Sequence, residues 1–438
     1  NITVNHSTFG QNFASKNGGA VFWGGNNGTV DNTHFYNNGV NAKNEKNVYG
    51  GAVYWTGNNA KINNSKFTYN SIRNKGNFSD GGALSIHDDY AIVENCLFED
   101  NSADVNGGAI NWAVDHGSII NSVFNRNTAN VEGGAVNGIG KNLLINGSNF
   151  TKNRVTAQVG GALALDAFGT IDNSTFIENS AHKGGAIHWI DEGACLVNNS
   201  YFYKNHAYYA GGAISCDFFY YHADKYIQNT RFINNTCQNY GGAIASLDTE
   251  IDNCTFINNS ANMGGAIHSY DSKINGSHFS DNSAKYGNDI YHSGTLDLID
   301  LEVPDKNIVY VPSDLAEIVR YNIGNSTRLM NNSYIGMCFE RWSLLPKYGA
   351  YDESLQGLIN VISKESIVEY LKLLIYESFN SMEEVYPHED DNYVLYPEGY
   401  EDYPDLIKDD KSNWVPISRT DYYSRAVHIF SDYDFRKS

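Results

Sequence analysis

A pattern of four positions repeats eleven times along the first 295 residues. Each copy has Val or Ile, then Ser, Thr or Cys three positions later, Phe two positions after that, and Asn three positions after the Phe. Gly-Gly-Ala followed by Val, Ile or Leu stands between successive copies. The phenylalanines are Phe9, Phe35, Phe67, Phe98, Phe124, Phe150, Phe176, Phe202, Phe232, Phe256 and Phe279. Neighbouring copies are 23 to 32 residues apart, a period that predicts a solenoid.

Within one copy, the spacing predicts short strands joined by tight corners. Phe and the small residue two positions before it share one face of a strand, whereas the aliphatic residue five positions before would face the other way. Asn or Gly, three positions before most of the phenylalanines, supplies a corner because these residues tolerate positive φ. A second corner is expected at the Asn after Phe, and Gly-Gly-Ala introduces a third strand. The pattern therefore predicts an all-β, right-handed parallel β-helix of about eleven coils with stacked Phe and stacked Asn.

The repeat ends near residue 295, and the composition changes there. Residues 296–438 contain 26 acidic and 13 basic residues and have their own helix and strand patterns, such as Ser366 to Phe379. We expect a β-helix over residues 1–295 and a small α+β C-terminal domain over residues 296–438. A decayed eleventh Gly-Gly-Ala copy is expected at Gly287-Asn-Asp-Ile290.

Charge and composition exclude several classes of protein. The net charge of −20 argues against nucleic acid as a partner, because phosphate contacts need a cationic face. No run of 18 apolar residues occurs, so no membrane span is expected in this chain. The six cysteines form no CxxC pair, and a disulfide scaffold is not expected. Ten or more Asn-x-Ser/Thr triplets, such as Asn146-Gly-Ser148, fit an extracellular glycoprotein.

Acidic and aromatic residues recur after the strand that follows Gly-Gly-Ala. Exposed aromatic rings beside carboxylates suit carbohydrate recognition, because rings stack on C–H faces and carboxylates accept hydroxyl hydrogens. The alternative is that Asp only forms the corner and Trp packs beneath loops. The candidate ligand-binding residues are Trp112, Trp189, Asp115, Asp191, Asp248 and Asp271.

An enzyme is not expected from this pattern. Parallel β-helices include polysaccharide lyases and hydrolases, which gather acids and bases in one cleft. Here Lys and Arg are scattered over single coils, and the histidines have no constant partner. A carbohydrate-active enzyme is therefore the weaker alternative, and no cofactor is expected.

The Gly-Gly-Ala-Ile and Asn-Ser-x-Phe-x-x-Asn pair resembles the repeats of polymorphic-membrane-protein-type β-helices in adhesin-like surface proteins of methanogenic archaea. This resemblance implies an extracellular, cell-surface protein that mediates attachment or cell–cell contact. The implied partners are glycans or proteins on another cell. The alternative is a structural surface-fibre subunit. Because the first coil enters the pattern at Val4, head-to-tail contact between copies is a further expectation.

The C-terminal region resembles the terminal domain of the same archaeal proteins, which is similar to the thioester domains of bacterial adhesins. In that family a Cys bonds to a Gln and the resulting thioester acylates host amines. Cys338 matches the Cys position and is the candidate reactive thiol. Ser424 stands where the family has Gln, and His428 stands where it has Trp, so the resemblance implies a degenerate thioester domain.

Residues 383–410 form an acidic segment with eleven carboxylates and five tyrosines. A solvated loop is one interpretation. Calcium bound through oxygen ligands is the other, although the segment lacks EF-hand spacing.

Overall fold

The structure is a computed structural model with one dominant feature, a long β-solenoid. It describes residues 2–42, 45, 47–74, 78–87, 89–165, 169–189, 195–216, 225–299, 308–311, 321–322, 406–408 and 414–416. All strand pairs except one are parallel, and the described residues contain no helix. The chain forms two compact units, residues 1–333 and 334–438, of which the first carries the solenoid.

Each coil has four short strands, which we name a, b, c and d in chain order. Strands a follow Gly-Gly-Ala: Val21–Trp23, Val53–Trp55, Leu84–Ile86, Ile110–Trp112, Val136–Gly138, Leu163–Leu165, Ile187–Trp189, Ile214–Cys216 and Ile244–Leu247. Strands b carry the aliphatic residue: Thr3–Asn5, Thr29–Asp31, Lys61–Asn63, Ile92–Glu94, Ser118–Ile120, Leu143–Asn146, Gly169–Asp172, Cys195–Asn198, Lys225–Gln228 and Thr249–Asp252. In Ile267–Asn275 and Ile290–Ile299, strands a and b are continuous. Strands c carry the Phe: Thr8–Gly10, His34–Tyr36, Lys66–Thr68, Leu97–Glu99, Val123–Asn125, Asn149–Thr151, Thr175–Ile177, Tyr201–Tyr203, Arg231–Ile233, Thr255–Ile257 and His278–Ser280. Strands d follow the Asn: Phe13–Ala14, Gly39–Ala42, Ser71–Asn74, Ser102–Ala103, Thr128–Ala129, Arg154–Val155, Ser180–Lys183, His206–Ala210, Thr236–Cys237, Ser260–Met263 and Ser283–Tyr286.

Parallel pairing between coils builds three long sheets and confirms the predicted parallel β-helix. Strands c and strands d each form an eleven-stranded sheet, so eleven levels are joined by ten complete turns. Strands a and b lie in one 23-stranded sheet. The sequence pattern predicted three strands per coil, and that number is wrong. Strands d were missed because several are only two residues long, although a small or aliphatic apolar residue, most often Ala, stands five positions after every Phe of the column.

The phenylalanines form one stacked column inside the solenoid. Neighbouring ring centroids are 4.7 to 5.0 Å apart, and the ring planes differ by 3 to 12°. All rings from Phe35 to Phe279 are at most 1% exposed, and Phe9 is partly buried. Full burial of one such ring contributes roughly 1.5–3 kcal/mol relative to exposure. The column is therefore a main source of the stability of the solenoid.

A ladder of asparagines runs beside the Phe column. The side-chain amide of Asn127 donates to Oδ1 of Asn153 on the next coil at 3.0 Å and to the carbonyl of Phe98 at 3.0 Å. The backbone N–H of Asn127 donates to the same Oδ1 at 3.0 Å. The pattern repeats up to Asn282, whose amide instead donates to Asp289 at 2.8 Å. The buried amides of this ladder are thus paired from coil to coil, as the sequence predicted.

Two corners of each coil have left-handed backbone conformation. The first is at the residue three positions before Phe, with φ from 46 to 62°, as predicted. The second is at the residue directly before the ladder Asn rather than at the Asn itself. Residues there include Tyr69, Arg126, Lys152 and Glu178, none of which favours this conformation. The bonds of the adjacent Asn therefore hold the backbone in place.

The sheet of strands a and b continues past the predicted boundary at residue 295. Strand Ile308–Val311 pairs with the first half of Ile290–Ile299, and Tyr321–Asn322 pairs with its end. Gly287 has φ of 64°, like the first glycine of every other Gly-Gly-Ala copy, which identifies the eleventh copy. In the second unit, Leu406–Lys408 pairs antiparallel with Trp414–Pro416. The predicted α+β domain otherwise lies outside the described residues and stays a prediction.

Candidate functional site

The tryptophans selected from the sequence line the interior of the solenoid. Trp112 is fully buried and Trp189 is 2% exposed. A Cβ on Gly117 would lie 2.2 Å from Cζ2 of Trp112, so the indole fills the space that the glycine leaves. The expectation of exposed indole rings is therefore corrected. These rings pack inside the corner between strands a and b, which matches the alternative interpretation.

Of the selected aspartates, Asp115 and Asp248 stand at corners on separate coils, and Asp271 lies within the continuous strand Ile267–Asn275. Asp115 accepts the backbone N–H of Lys141 through Oδ1 at 2.7 Å. Asp248 has φ of 47° and stands at a corner, and Asp271 lies at a register shift between Tyr270 and Ser272. The structure does not bring these three together in one continuous stripe. Asp191, Cys338 and most of the acidic segment 383–410 lie outside the described residues.

Exposed aromatic residues do stand at the corner of Asp115, eight positions before the phenylalanines. Tyr90 is 57% exposed, and its ring stacks on His116 of the next coil with centroids 5.3 Å apart and planes at 19°. Nδ2 of Asn142, one coil further, lies 3.3 Å from Nε2 of His116. Oδ1 of Asp89 accepts the backbone N–H of Asp115 at 3.0 Å. We call Asp89, Tyr90, Asp115, His116 and Asn142 the corner face.

A cavity of about 450 Å³ begins at the end of the corner face. Asn142 belongs to the corner face and also lines the cavity. The remaining lining consists mainly of apolar side chains with a tyrosine ring and a hydroxyl group. The lining residues are Asn142, Leu143, Leu144, Gly169, Thr170, Cys195, Leu196 and Tyr226. This volume lies within the range of roughly 300–1,000 Å³ that is typical of small-ligand sites. Exposed rings, carboxylates and a cavity are thus adjacent on one edge of the solenoid.

The sequence reasoning missed Tyr90 and His116 because they have no constant residue type. Their equivalents in other coils are Asn27, Asn59, Asn142 and Asp248, and all six have φ between 47 and 65°. An alignment of the copies extended to eight positions before Phe would have shown this fourth regular position.

A second polar region, which is largely buried, lies beside the Gly-Gly turn, and we call it the glycine seam. It comprises the outward residues directly before Gly-Gly (Tyr49, Asp80, Asn106, Glu132) and the outward second residues of strands a (Tyr54, Ser85, Asn111, Asn137). The two columns run side by side, since the Tyr49 and Tyr54 rings are 5.4 Å apart. Asn137 donates to Asn111 at 3.2 Å and Asn111 donates to Ser85 at 3.3 Å.

Asp80 is a buried carboxyl group of the seam with a raised pKa. Burial and, to a smaller extent, the nearby Glu132 raise its pKa from 3.8 to about 7, against hydrogen bonds from Asn106 that lower it. Ser85 Oγ lies 2.9 Å from Nε2 of His87, but Ser85 is fully buried. The pair therefore does not present a nucleophile to a ligand.

Replacing Asp80 by Asn should remove a pH dependence of stability. Because the folded pKa is raised, the stabilising contribution of the protonated carboxyl is fully present below pH 4 and is lost as the pH rises through 7. A shift of this size corresponds to about 4 kcal/mol at most. In buffer without divalent ions, we expect Asp80→Asn to unfold at higher urea than the wild type at pH 8, and at equal urea at pH 4. Asp281→Asn, at an exposed corner, is the control. If the urea midpoints of Asp80→Asn and the wild type change in parallel with pH, the raised pKa of Asp80 is contradicted.

The buried thiols are not candidates for nucleophilic chemistry. Cys96 and Cys254 replace Ser or Thr in the column two positions before Phe, and both donate to backbone carbonyls. Burial raises the pKa of each thiol to about 12, which keeps it protonated. Within the part of the chain that the structure describes, no group of three His, Cys, Asp or Glu side chains could hold a metal ion.

Comparison with known protein families links the repeats to a surface-protein type. Five segments match the Chlamydia polymorphic membrane protein repeat, at residues 95–111, 173–188, 199–217, 229–247 and 253–270. Each segment runs from the region of the Phe to the following Gly-Gly-Ala. A search of curated proteins gave no match to the chain. Among the described residues, no helix is long and apolar enough to cross a membrane.

Proposed function

We propose that the chain is an extracellular, adhesin-like β-solenoid that attaches its cell to another surface by binding carbohydrate at the corner face. The matches to polymorphic membrane protein repeats support a surface location and an adhesin-like role. The observation that carries the ligand class is the exposed Tyr90–His116 stack beside Asp89 and Asp115. Non-enzymatic function and head-to-tail contact between copies stay separate predictions.

The corner face has the chemistry that sugar rings require. The exposed face of Tyr90 can pack on the C–H face of a sugar, and the carboxylates can accept its hydroxyl hydrogens. Asp89 and Asp115 each use Oδ1 for a backbone N–H, which fixes the carboxylate beside the rings. The cavity at Asn142 can receive a further sugar or a substituent on the ring. Repetition at the coil spacing suits a polymer rather than a single small molecule.

The test compares two exposed tyrosines that share a backbone conformation. Tyr90 is 57% and Tyr69 is 60% exposed, and both have positive φ. Asn stands at the equivalent corner in other coils, so Tyr90→Asn and Tyr69→Asn should both fold. We expect Tyr90→Asn to weaken binding of the full chain to surface polysaccharides about tenfold, close to 1.4 kcal/mol, and Tyr69→Asn to bind like the wild type. Binding is measured by retention on immobilised polysaccharide.

Two outcomes would reject the proposed ligand class. Equal retention of both variants would place the contact away from the corner face. Binding to cells that survives complete removal of surface polysaccharide would point to a protein partner instead. Light scattering of the same preparations distinguishes attachment from the fibre alternative, in which copies associate without any ligand.

A further inference from the structure

We propose that the outer face of strands c carries a second binding site, which takes an acidic polysaccharide through Tyr201, Tyr203, Lys204 and Arg231. We call these four residues the tyrosine–cation platform. The corner face lies where strands a meet strands b, so the platform is a separate site and does not depend on the carbohydrate binding proposed there. Two close rings, two cations without a carboxylate partner and the charge of the surrounding surface favour this class of ligand.

Two tyrosine rings lie close together on strand Tyr201–Tyr203. Phe202 between them belongs to the inner column, so the residues on either side of it point outward. The ring centroids of Tyr201 and Tyr203 are 6.0 Å apart, and the ring planes differ by 11°. Both residues are partly exposed. Two nearly parallel rings on one strand give a sugar chain more than one aromatic surface for its C–H groups.

A cation lies over each of these rings. Nζ of Lys204 is 5.1 Å from the centroid of the Tyr203 ring. Arg231 is the register partner of Tyr201 on the next coil, and its guanidinium carbon is 5.9 Å from the centroid of the Tyr201 ring. An aromatic ring attracts a cation without neutralising its charge. The rings therefore hold both cations in place, which lowers the entropy cost of binding an anion.

Neither Lys204 nor Arg231 has an acidic partner. Both residues are exposed, and within the part of the chain that the structure describes neither side chain donates a hydrogen bond or forms an ion pair. Arg126, at a corner equivalent to that of Lys204, instead donates to Asp100 at 2.8 and 2.9 Å. The platform thus leaves the donors of an ammonium and a guanidinium group open to a ligand, and such donors bind oxyanions strongly.

The surface around the platform is positive although the chain is acidic. Five neighbouring strands c, from Asn149–Thr151 to Thr255–Ile257, hold three cations and one carboxylate at their outward positions and following corners. That carboxylate, Glu178, is paired with Lys152 at 3.5 Å. The net charge of −20 opposes polyanion binding in general, which favours this patch over the rest of the surface. The carboxylates of the corner face repel such a ligand, so the two faces select different polymers.

Retention of the full chain on polygalacturonate, in buffer without divalent ions, tests the cations of the platform. We expect the wild type to bind this polymer more than about tenfold tighter than its uncharged methyl ester. Lys204→Asn and Arg231→Thr should each weaken binding about tenfold, the loss expected for one charge-assisted hydrogen bond. Asn234 and Thr255 stand at the equivalent positions on the next coil, so both variants should fold. Arg126→Asn removes one positive charge at an equivalent corner and should bind like the wild type.

A matched pair of tyrosines tests the rings. Tyr203 follows Phe202 directly, as Tyr36 follows Phe35, and Tyr36 is 37% exposed. Thr151 occupies the same position on another coil, so Thr is compatible with this site on the strand. We expect Tyr203→Thr to weaken binding to polygalacturonate about fivefold and Tyr36→Thr to leave it unchanged.

Further polymers identify the acidic group and the class of partner. Binding to dextran sulfate but not to dextran, lost in Lys204→Asn, would support the platform with sulfate as the recognised group. Equally tight binding of poly-L-glutamate would assign the platform to an acidic protein and overturn the polysaccharide class. Circular dichroism verifies that each variant is folded.

Two results would overturn the site itself. The first is wild-type affinity of both Lys204→Asn and Arg231→Thr for both polyanions. The second is a wild-type chain that binds neither polyanion, or binds the methyl ester as tightly as polygalacturonate. Tyr90→Asn should keep its affinity for polygalacturonate, so the platform and the corner face fail independently.

Discussion

Replacing Gly108 by Ala is expected to destabilise the solenoid by about 3–5 kcal/mol. A Cβ at this position would lie 2.2 Å from the carbonyl oxygen of Gly134 and 2.6 Å from backbone atoms of Thr128. These contacts are with backbone of the next coil, which cannot move without breaking parallel pairing on both sides. The second glycine of each copy is needed for this reason rather than for its φ. Urea unfolding followed by circular dichroism measures the effect.

Gly24→Ala is the matched control for this substitution. A Cβ there would meet only Phe22 Cε1 at 3.6 Å and Thr56 Oγ1 at 3.8 Å, which are ordinary contacts. We expect a change within about 0.5 kcal/mol, as for other surface substitutions. If Gly108→Ala unfolds at the same urea concentration as Gly24→Ala, the claim that the next coil leaves no space for a Cβ at Gly108 is wrong.

Removal of Asn153 from the ladder should have an effect of similar size. Its Oδ1 accepts two bonds from Asn127 at 3.0 Å, and its Nδ2 donates to Phe124 at 3.0 Å and to Asn179 at 3.1 Å. Asn153→Ala leaves four buried groups short of a partner, each worth roughly 1 kcal/mol or more. We expect a loss of about 3–6 kcal/mol in the free energy of unfolding, measured by urea titration.

The same substitution at the exposed end of the ladder separates burial from bond loss. Asn12 is exposed and also donates to the next ladder residue, Asn38, at 2.9 Å. Water replaces the lost partner there, so Asn12→Ala should cost about 1 kcal/mol or less. Equal losses at Asn12 and Asn153 would contradict the view that burial makes the ladder strong.

The sequence predicted the interior of the solenoid well because the interior repeats. Each inward position meets its own equivalent on the next coil, so one residue type recurs and becomes visible as a period. The Phe column, the Asn ladder and the corner three positions before Phe were all predicted on this basis. The second corner was misplaced by one residue because Arg126 and Lys152 have no preference for positive φ; the ladder bonds impose it.

The exterior was predicted poorly for the opposite reason. Outward residues need not match their neighbours on the next coil. At the positions of Tyr90, His116 and Asp80, therefore, no single residue type is kept from coil to coil. Trp112 was mistaken for a surface residue because its partner in packing is a glycine, which leaves no pattern of its own. The glycine seam depends on the strands Asn47–Tyr49 and Phe78–Asp80, which lie outside the repeated four-position pattern.

The Asn-x-Ser/Thr triplets also have a structural origin. In Asn146-Gly-Ser148, the hydroxyl of Ser148 is buried and donates to the carbonyl of Asn146 at 3.1 Å. Asn or Gly at the corner and Ser or Thr facing inward produce the triplet wherever a strand b precedes Asn. Triplets at these corners therefore give no support to glycosylation.

The direction of the Asn ladder has an evolutionary consequence. Each rung donates to the Asn on its C-terminal side and accepts from the Asn on its N-terminal side, and Asp289 ends the series. A duplicated segment of 26 residues, such as 128–153, would insert with all of its donors and acceptors matched. Gene duplication inside the repeat can therefore lengthen or shorten the solenoid without any compensating mutation in the neighbouring coils.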